Sequence, residues 1–132
     1  MVSPFTLKNK SLFALRRYRH DIVAVYLFGS CATGEVNPTS DVDIAVLFKS
    51  NDSKNAFQLR CAFYADLSRM LQRNDIDIVV LNTSRNLILQ DTIVREGKLL
   101  YSADDEARIE YEVRTMHMCM DFKQQRKRNV GV

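Results

Sequence analysis

The chain has 132 residues, 46% of them apolar and 27% charged, with a formal net charge of +3. That is the length of one ordinary domain, 1–132, with chain enough for a single core, and the composition excludes a disordered polypeptide. The longest apolar run, Ile22 to Gly29, is far short of the roughly twenty residues of a membrane span. No charged-then-apolar leader is recognisable, so no signal peptide is expected. Cys31, Cys61 and Cys119 are odd in number and widely spaced. They fit no CxxC pattern and no disulfide framework, which points to a reducing, cytoplasmic compartment.

Charge is unevenly spread. Residues 1–20 carry Lys8, Lys10, Arg16, Arg17 and Arg19 without an acid, and Lys123, Arg126, Lys127 and Arg128 crowd the other end. Cations near helix C-termini are favoured by the helix dipole, so these read first as solvated helix ends. The alternative is a docking surface for an acidic partner or a nucleic acid.

Ser3 and Pro4 predict an N-cap followed by proline at the first helical position, with a helix to Arg19. Ile22–Phe28 is short, apolar and rich in β-formers, so a buried strand is expected. A loop holding Gly29, Gly34 and Pro38 follows. Asp43–Phe48 predicts a second buried strand, entered through Asp41. Asp52 or Ser53 caps a long helix whose Ala56, Leu59, Phe63, Leu67, Met70 and Leu71 recur at helical spacing. Ile76–Leu81 predicts a third strand. A helix over about Ser84 to Glu96 stops at Gly97, read as a left-handed terminator. Leu99–Tyr101 suggests an edge strand. Ser102 with Asp104, Asp105 and Glu106 starts a last helix, on which Ile109, Val113, Met116 and Met120 form one face. That face is expected to pack in the core rather than to serve as an adaptable binding groove. The order predicts the α+β class: a small mixed sheet with helices packed on one face and the other face open.

Aspartates stand where packing alone would not put them. Asp41 and Asp43 are two apart at the entry to a strand, so their side chains share a face. Asp77 lies within Ile76–Val80. A carboxylate in an apolar run is costly unless paired or bound to a cation, and these strands hold no Lys or Arg. Three carboxylates converging on one face describe an oxygen-rich site for Mg²⁺. Asp21 and Asp75 are weaker candidates, each placed to cap a turn. Gly29 and Ser30 end the first strand, where glycine lets backbone N–H groups face a ligand and serine adds a hydroxyl. Glu35 and Val36 stand where a phosphate-binding Walker loop needs Lys and Ser or Thr, which excludes that loop. His20 and His117 read as structural or surface residues.

Tyr26-Leu-Phe-Gly29-Ser30, Ala32-Thr-Gly-Glu35 and Ser40-Asp41-Val-Asp43-Ile44 resemble the signature of the minimal nucleotidyltransferases of the DNA polymerase β-like superfamily. Asp77–Leu81 and Arg95–Tyr101 resemble that family's third-carboxylate strand and the segment after it. The resemblance implies a polymerase β-like palm fold and transfer of a nucleoside monophosphate to a hydroxyl. Many small members are antitoxins of HEPN ribonuclease toxins, and some attach AMP to a toxin tyrosine. By that resemblance Gly29 and Ser30 hold the triphosphate of ATP, and Asp41, Asp43 and Asp77 hold Mg²⁺, two ions being expected. Asp77 also helps activate the attacking hydroxyl. Two departures are Thr33, where many relatives are basic, and Thr83–Asn86, where many carry prolines.

The chain offers no second domain to enclose a small acceptor, so a hydroxyl on a HEPN toxin partner is the expected acceptor. The alternatives are a non-catalytic toxin-binding module of the same fold and transfer to a small molecule such as an aminoglycoside. Direct nucleic-acid binding is disfavoured, because no aromatic stacking platform, helix-turn-helix or zinc pattern is present.

Overall fold

The computed structural model describes residues 15–29 and 42–129. Within them run a 3-10 turn at Arg16–Tyr18, β1 (Ile22–Phe28), β2 (Val42–Phe48), α1 (Ser53–Leu71), β3 (Ile76–Val80), α2 (Leu87–Glu96), β4 (Lys98–Ser102) and α3 (Asp105–Asn129). Most of the helix expected after Pro4 lies outside the described residues, as do Ser30, Cys31, Thr33, Gly34, Pro38 and Asp41.

The strands form one sheet in the order β3-β2-β1-β4. β1 runs antiparallel to β2 and to β4, and β2 runs parallel to β3. The parallel pair follows from α1, since strands pointing the same way need a crossover between them. Asn82 closes the far end of that pair: its side chain accepts from the Phe48 N–H and donates to the Phe48 carbonyl, both at 2.8 Å. The mixed sheet of the α+β class is as the sequence predicts.

The distribution of helices is not. Alternation along the strands gives the sheet two distinct faces. One carries Val25, Leu27, Ile44, Val46, Ile78 and Val80 and packs against Phe63, Leu67 and Leu71 of α1. The other carries Ala24, Tyr26, Ala45 and Leu47 and meets Ile93 of α2 and Tyr111 of α3. Helices therefore lie on both faces. The physical reason is in β1 and the body of β2, which are apolar at successive positions and so need cover on each side. What is left uncovered on the second face, among the described residues, is the strip at the start of β2 and β3, where Asp43 is half-buried and Asp77 exposed.

Local chemistry sets the helix ends. Asp52 caps α1 by accepting from the Lys54 N–H at 3.0 Å, and Asn86 caps α2 by accepting from the Leu89 N–H at 3.0 Å. Asn86 thus does by capping what proline would do at that helix entry, and α2 begins three residues later than expected. Gly97 ends α2 in extended backbone, φ −69° and ψ 159°, rather than in the left-handed form. Its value is closeness: a β-carbon there would lie 2.5 Å from the Ile93 carbonyl oxygen. Asp104, not Ser102, caps α3 through the Ala107 N–H at 3.1 Å. Under α1, the buried Asp66 accepts from the Tyr18 hydroxyl at 2.6 Å and pairs with Arg69 at 3.0 Å and Arg17 at 3.3 Å. Burial and the Asp66 contact push the Tyr18 hydroxyl up to about 12.

α3 turns a different side to the core from the one its apolar residues suggest. Tyr111, Thr115 and Cys119 are buried, spaced four apart, whereas Ile109, Val113 and Met120 are exposed and Met116 is half-buried. Polar contacts fix this rotation. The Tyr111 hydroxyl donates to Gln90 at 2.9 Å, and the Tyr26 hydroxyl donates to Glu112 at 2.6 Å, with Arg108 bracing Glu112 at 3.2 Å. Burial is the main reason the Tyr26 hydroxyl is pushed far above the ordinary tyrosine range.

Phe63 is fully buried and meets Tyr18 edge-on, ring centroids 5.6 Å apart. Phe63→Ala should cost about 3–5 kcal/mol. The urea midpoint reads this, with the slope of the transition unchanged.

Candidate active site

The C-terminal end of β1 and the N-terminal ends of β2 and β3 meet at one margin of the sheet. Phe28 pairs with Asp43, and Asp43 pairs with Asp77, so one cross-strand row links them. Residues paired in register project to the same face. Adjacent strands lie about 4.8 Å apart, so the Asp43 and Asp77 carboxylates stand as neighbours. The sequence singles out Asp77 by its depth in an apolar run, yet the residue is exposed on an edge strand. What places it beside Asp43 is the register.

Gly29 follows directly, at φ +76°, a left-handed backbone that suits glycine. A β-carbon there would stand 2.3 Å from Asp43 Oδ2 and 3.2 Å from Asp43 Cγ. The bare backbone of Gly29 and the Asp43 carboxylate thus occupy adjoining space. Ser30 and Asp41 lie outside the described residues, and among those described no group of three metal-ligating side chains forms.

Asp75 is placed differently from Asp77. It forms a two-pronged ion pair with Arg73, whose guanidinium donates to both of its carboxylate oxygens. That hydrogen bonding holds the Asp75 carboxyl below the usual carboxylate range. The Asp75 carbonyl accepts from the Val42 N–H at 3.0 Å and so starts the parallel ladder. Sequence reading missed Arg73 as its partner, and the signal available was the two-residue spacing just ahead of β3. Asp21 closes a turn through its backbone: its N–H donates to Tyr18 and its carbonyl accepts from Lys49, both at 2.8 Å. His20 and His117 are both exposed.

Chemically, this margin presents hard carboxylate oxygens beside a stretch of backbone without a side chain. Such a donor set suits a divalent cation of the Mg²⁺ type, and bare backbone suits close approach of phosphate oxygens.

The family described as "Polymerase beta, Nucleotidyltransferase" matches residues 10–106. The chain belongs to this nucleotidyltransferase family. The matched span takes in β1 to β4 and with them Gly29, Ser30, Asp41, Asp43 and Asp77. The nucleotidyltransferase is 28% identical over 120 residues to protein adenylyltransferase MntA of Shewanella oneidensis, covering 91% of this chain and 82% of that one. It resembles a crystal structure of a toxin–antitoxin with AMP-PNP, with TM-score 0.75 and 27% identity, over 94% of this chain and 95% of that one. It also resembles a structure of the tri-AMPylated Shewanella oneidensis HEPN toxin in complex with its minimal nucleotidyltransferase antitoxin. There the TM-score is 0.69 and the identity 26%, over 95% of this chain and 93% of that one.

Gly29→Ala is expected to abolish nucleotidyl transfer. The new methyl group would displace the Asp43 carboxylate and strain a left-handed backbone, at a cost of about 1–2 kcal/mol to the fold. Transfer assayed beside a thermal melt separates the two effects: activity gone, melting lowered only modestly.

Proposed function

We propose that this chain is a cytoplasmic, Mg²⁺-dependent protein adenylyltransferase, a single minimal domain over 1–132. It moves AMP from ATP to a hydroxyl, expected to be a tyrosine, of a HEPN ribonuclease toxin and so acts as its antitoxin. The observation that carries this reading is the Asp43–Asp77 pairing beside Gly29, in a chain of the nucleotidyltransferase family. The toxin–antitoxin relatives give the acceptor class. Among the described residues no helix is long and apolar enough to cross a membrane.

In this mechanism Gly29 and Ser30 hold the triphosphate of the donor, and Asp41, Asp43 and Asp77 hold Mg²⁺. The bound ions supply charge neutralisation on the phosphate oxygens. The acceptor oxygen attacks the α-phosphorus in line, the bond to the β-phosphate oxygen breaks, and pyrophosphate leaves. Asp77, the exposed member of the pair, faces the incoming hydroxyl and helps take its proton. Asp43, pressed against Gly29, fixes the donor end. The outward stripe of Ile109, Val113 and Met120 on α3 gives a protein partner an apolar surface.

The rival is a module of the same fold that silences the toxin by binding alone. Mass spectrometry of the intact toxin, incubated with this chain, ATP and Mg²⁺, decides between them. Transfer adds about 329 Da per AMP, the mass of AMP less water, by the displacement described. A toxin inhibited but unchanged in mass would favour the binding module.

A further inference from the structure

A concavity lies on the same face of the sheet as the Asp43–Asp77 margin but at its opposite end. It opens between the C-terminal ends of β2 and β3, the start of α2 and the middle of α3, with a volume of about 650 Å³. Asp43 and Leu47 are four positions apart along β2, about 13 Å. The ground between them is filled by Ala45 under Ile93 and Tyr111. The two places are therefore separate.

The lining is chemically one-sided. Arg85 and Arg114 both border it, and no acidic residue does. Among the described residues neither arginine forms an ion pair; the Arg114 guanidinium lies over the Tyr111 ring, 6.0 Å from its centre. Ser84 borders it too, its hydroxyl accepting from the Asn86 N–H at 3.3 Å, and Asn82 and Gln90 spend their side chains on Phe48, Asn51, Ser84 and Tyr111. Leu47, Leu81, Leu87 and Met118 are its apolar lining, with Leu47 and Leu81 buried and Met118 exposed. A neighbouring hollow that shares Asn51 and Arg114 with it is bordered by Lys49 and one acid, Glu110. Arginine forks match the geometry of phosphate oxygens. The volume falls within the roughly 300–1,000 Å³ typical of small-ligand sites, larger than free phosphate needs.

We propose that this cleft binds a nucleotide, with its phosphates held by Arg85 and Arg114 and its base laid against the apolar side chains of Leu87 and Met118. Such a site is distinct from the one that holds the donor. It requires no transfer chemistry and stands or falls apart from the adenylyltransferase reading.

The test is a titration of the full chain with ADP in EDTA, followed by amide chemical shifts. Without divalent metal the Asp43–Asp77 margin repels phosphate, so saturable binding should move the amides of Asn82, Ser84 and Thr115. Arg85→Glu combined with Arg114→Glu should weaken it at least about tenfold through loss of two charge-assisted contacts. Asp43→Asn combined with Asp77→Asn should leave it in place. If the charge reversal does not fold, Arg85→Gln with Arg114→Gln should weaken binding in the same direction. Shifts confined to Gly29 and Asp43 would overturn the proposal, as would unchanged affinity in the arginine variants or no binding at millimolar ADP. Capture of an RNA oligomer or an acidic peptide in place of ADP would also overturn it, making the cleft a macromolecular surface.

Discussion

Asp41→Asn combined with Asp43→Asn is expected to abolish nucleotidyl transfer while leaving the chain folded. Phosphoryl chemistry of this kind asks the protein for positioning and for charge stabilisation, so a few acids carry most of the rate. Asp43 sits between Val42 and Ile44, both fully buried; it is itself half-buried, with its carboxylate beside Gly29. Asparagine keeps the shape and removes the charge. Any crowding between like carboxylates is relieved at the same time, so a thermal melt should show no loss beyond a few degrees. The readout is incorporation of labelled AMP at saturating Mg²⁺. Normal transfer by the double variant would remove these residues from the catalytic role. A silent variant with an intact melt would separate chemistry from folding.

Strand positions were legible in the sequence because apolar runs bounded by Asp, Asn and Gly leave few alternatives. β2 and β3 lie where Asp43–Phe48 and Ile76–Leu81 place them, and Leu99–Tyr101 falls within β4. The helices on the second face were not legible, since a run apolar at every position says that a strand is buried without saying by what. α3 shows the limit most clearly. Counting apolar residues selects Ile109, Val113, Met116 and Met120 as the inward face, and the structure turns Tyr111, Thr115 and Cys119 inward instead. Hydrogen bonds from Tyr111 to Gln90 and from Tyr26 to Glu112 decide the rotation. They join residues 21 and 86 positions apart, which no local periodicity records. Spacing brought Gly29, Asp43 and Asp77 together as candidates. Only the register of β1, β2 and β3 makes Gly29 and the two aspartates neighbours.

Asp77→Asn should lower the transfer rate on the order of a hundredfold or more, the scale of a lost general base, with donor binding much less affected. The register argument is specific: Asp77 stands opposite Asp43, and it is exposed where an acceptor hydroxyl can reach it. Asp75, two residues earlier, shares the face by strand periodicity. Its carboxylate is committed to Arg73, and its backbone starts the β2–β3 ladder. Asp75→Asn should therefore change the rate little and act on stability. The sign follows from the depressed Asp75 carboxyl. A group whose folded-state pKa is lowered contributes stability above its unfolded pKa, near 3.9, and loses it as pH falls through the folded value. The Asp75→Asn variant should melt lower than wild type at neutral pH, and the gap should close as the pH falls below about 4. Arg73→Ala should reproduce that pH dependence, since it removes the same pair from the other side. Single-turnover rates for the Asp75 and Asp77 variants, with the melts taken across pH, test both halves. A crippled Asp75→Asn beside a near-normal Asp77→Asn would transfer the proton-accepting role to Asp75 and break the link between register and chemistry.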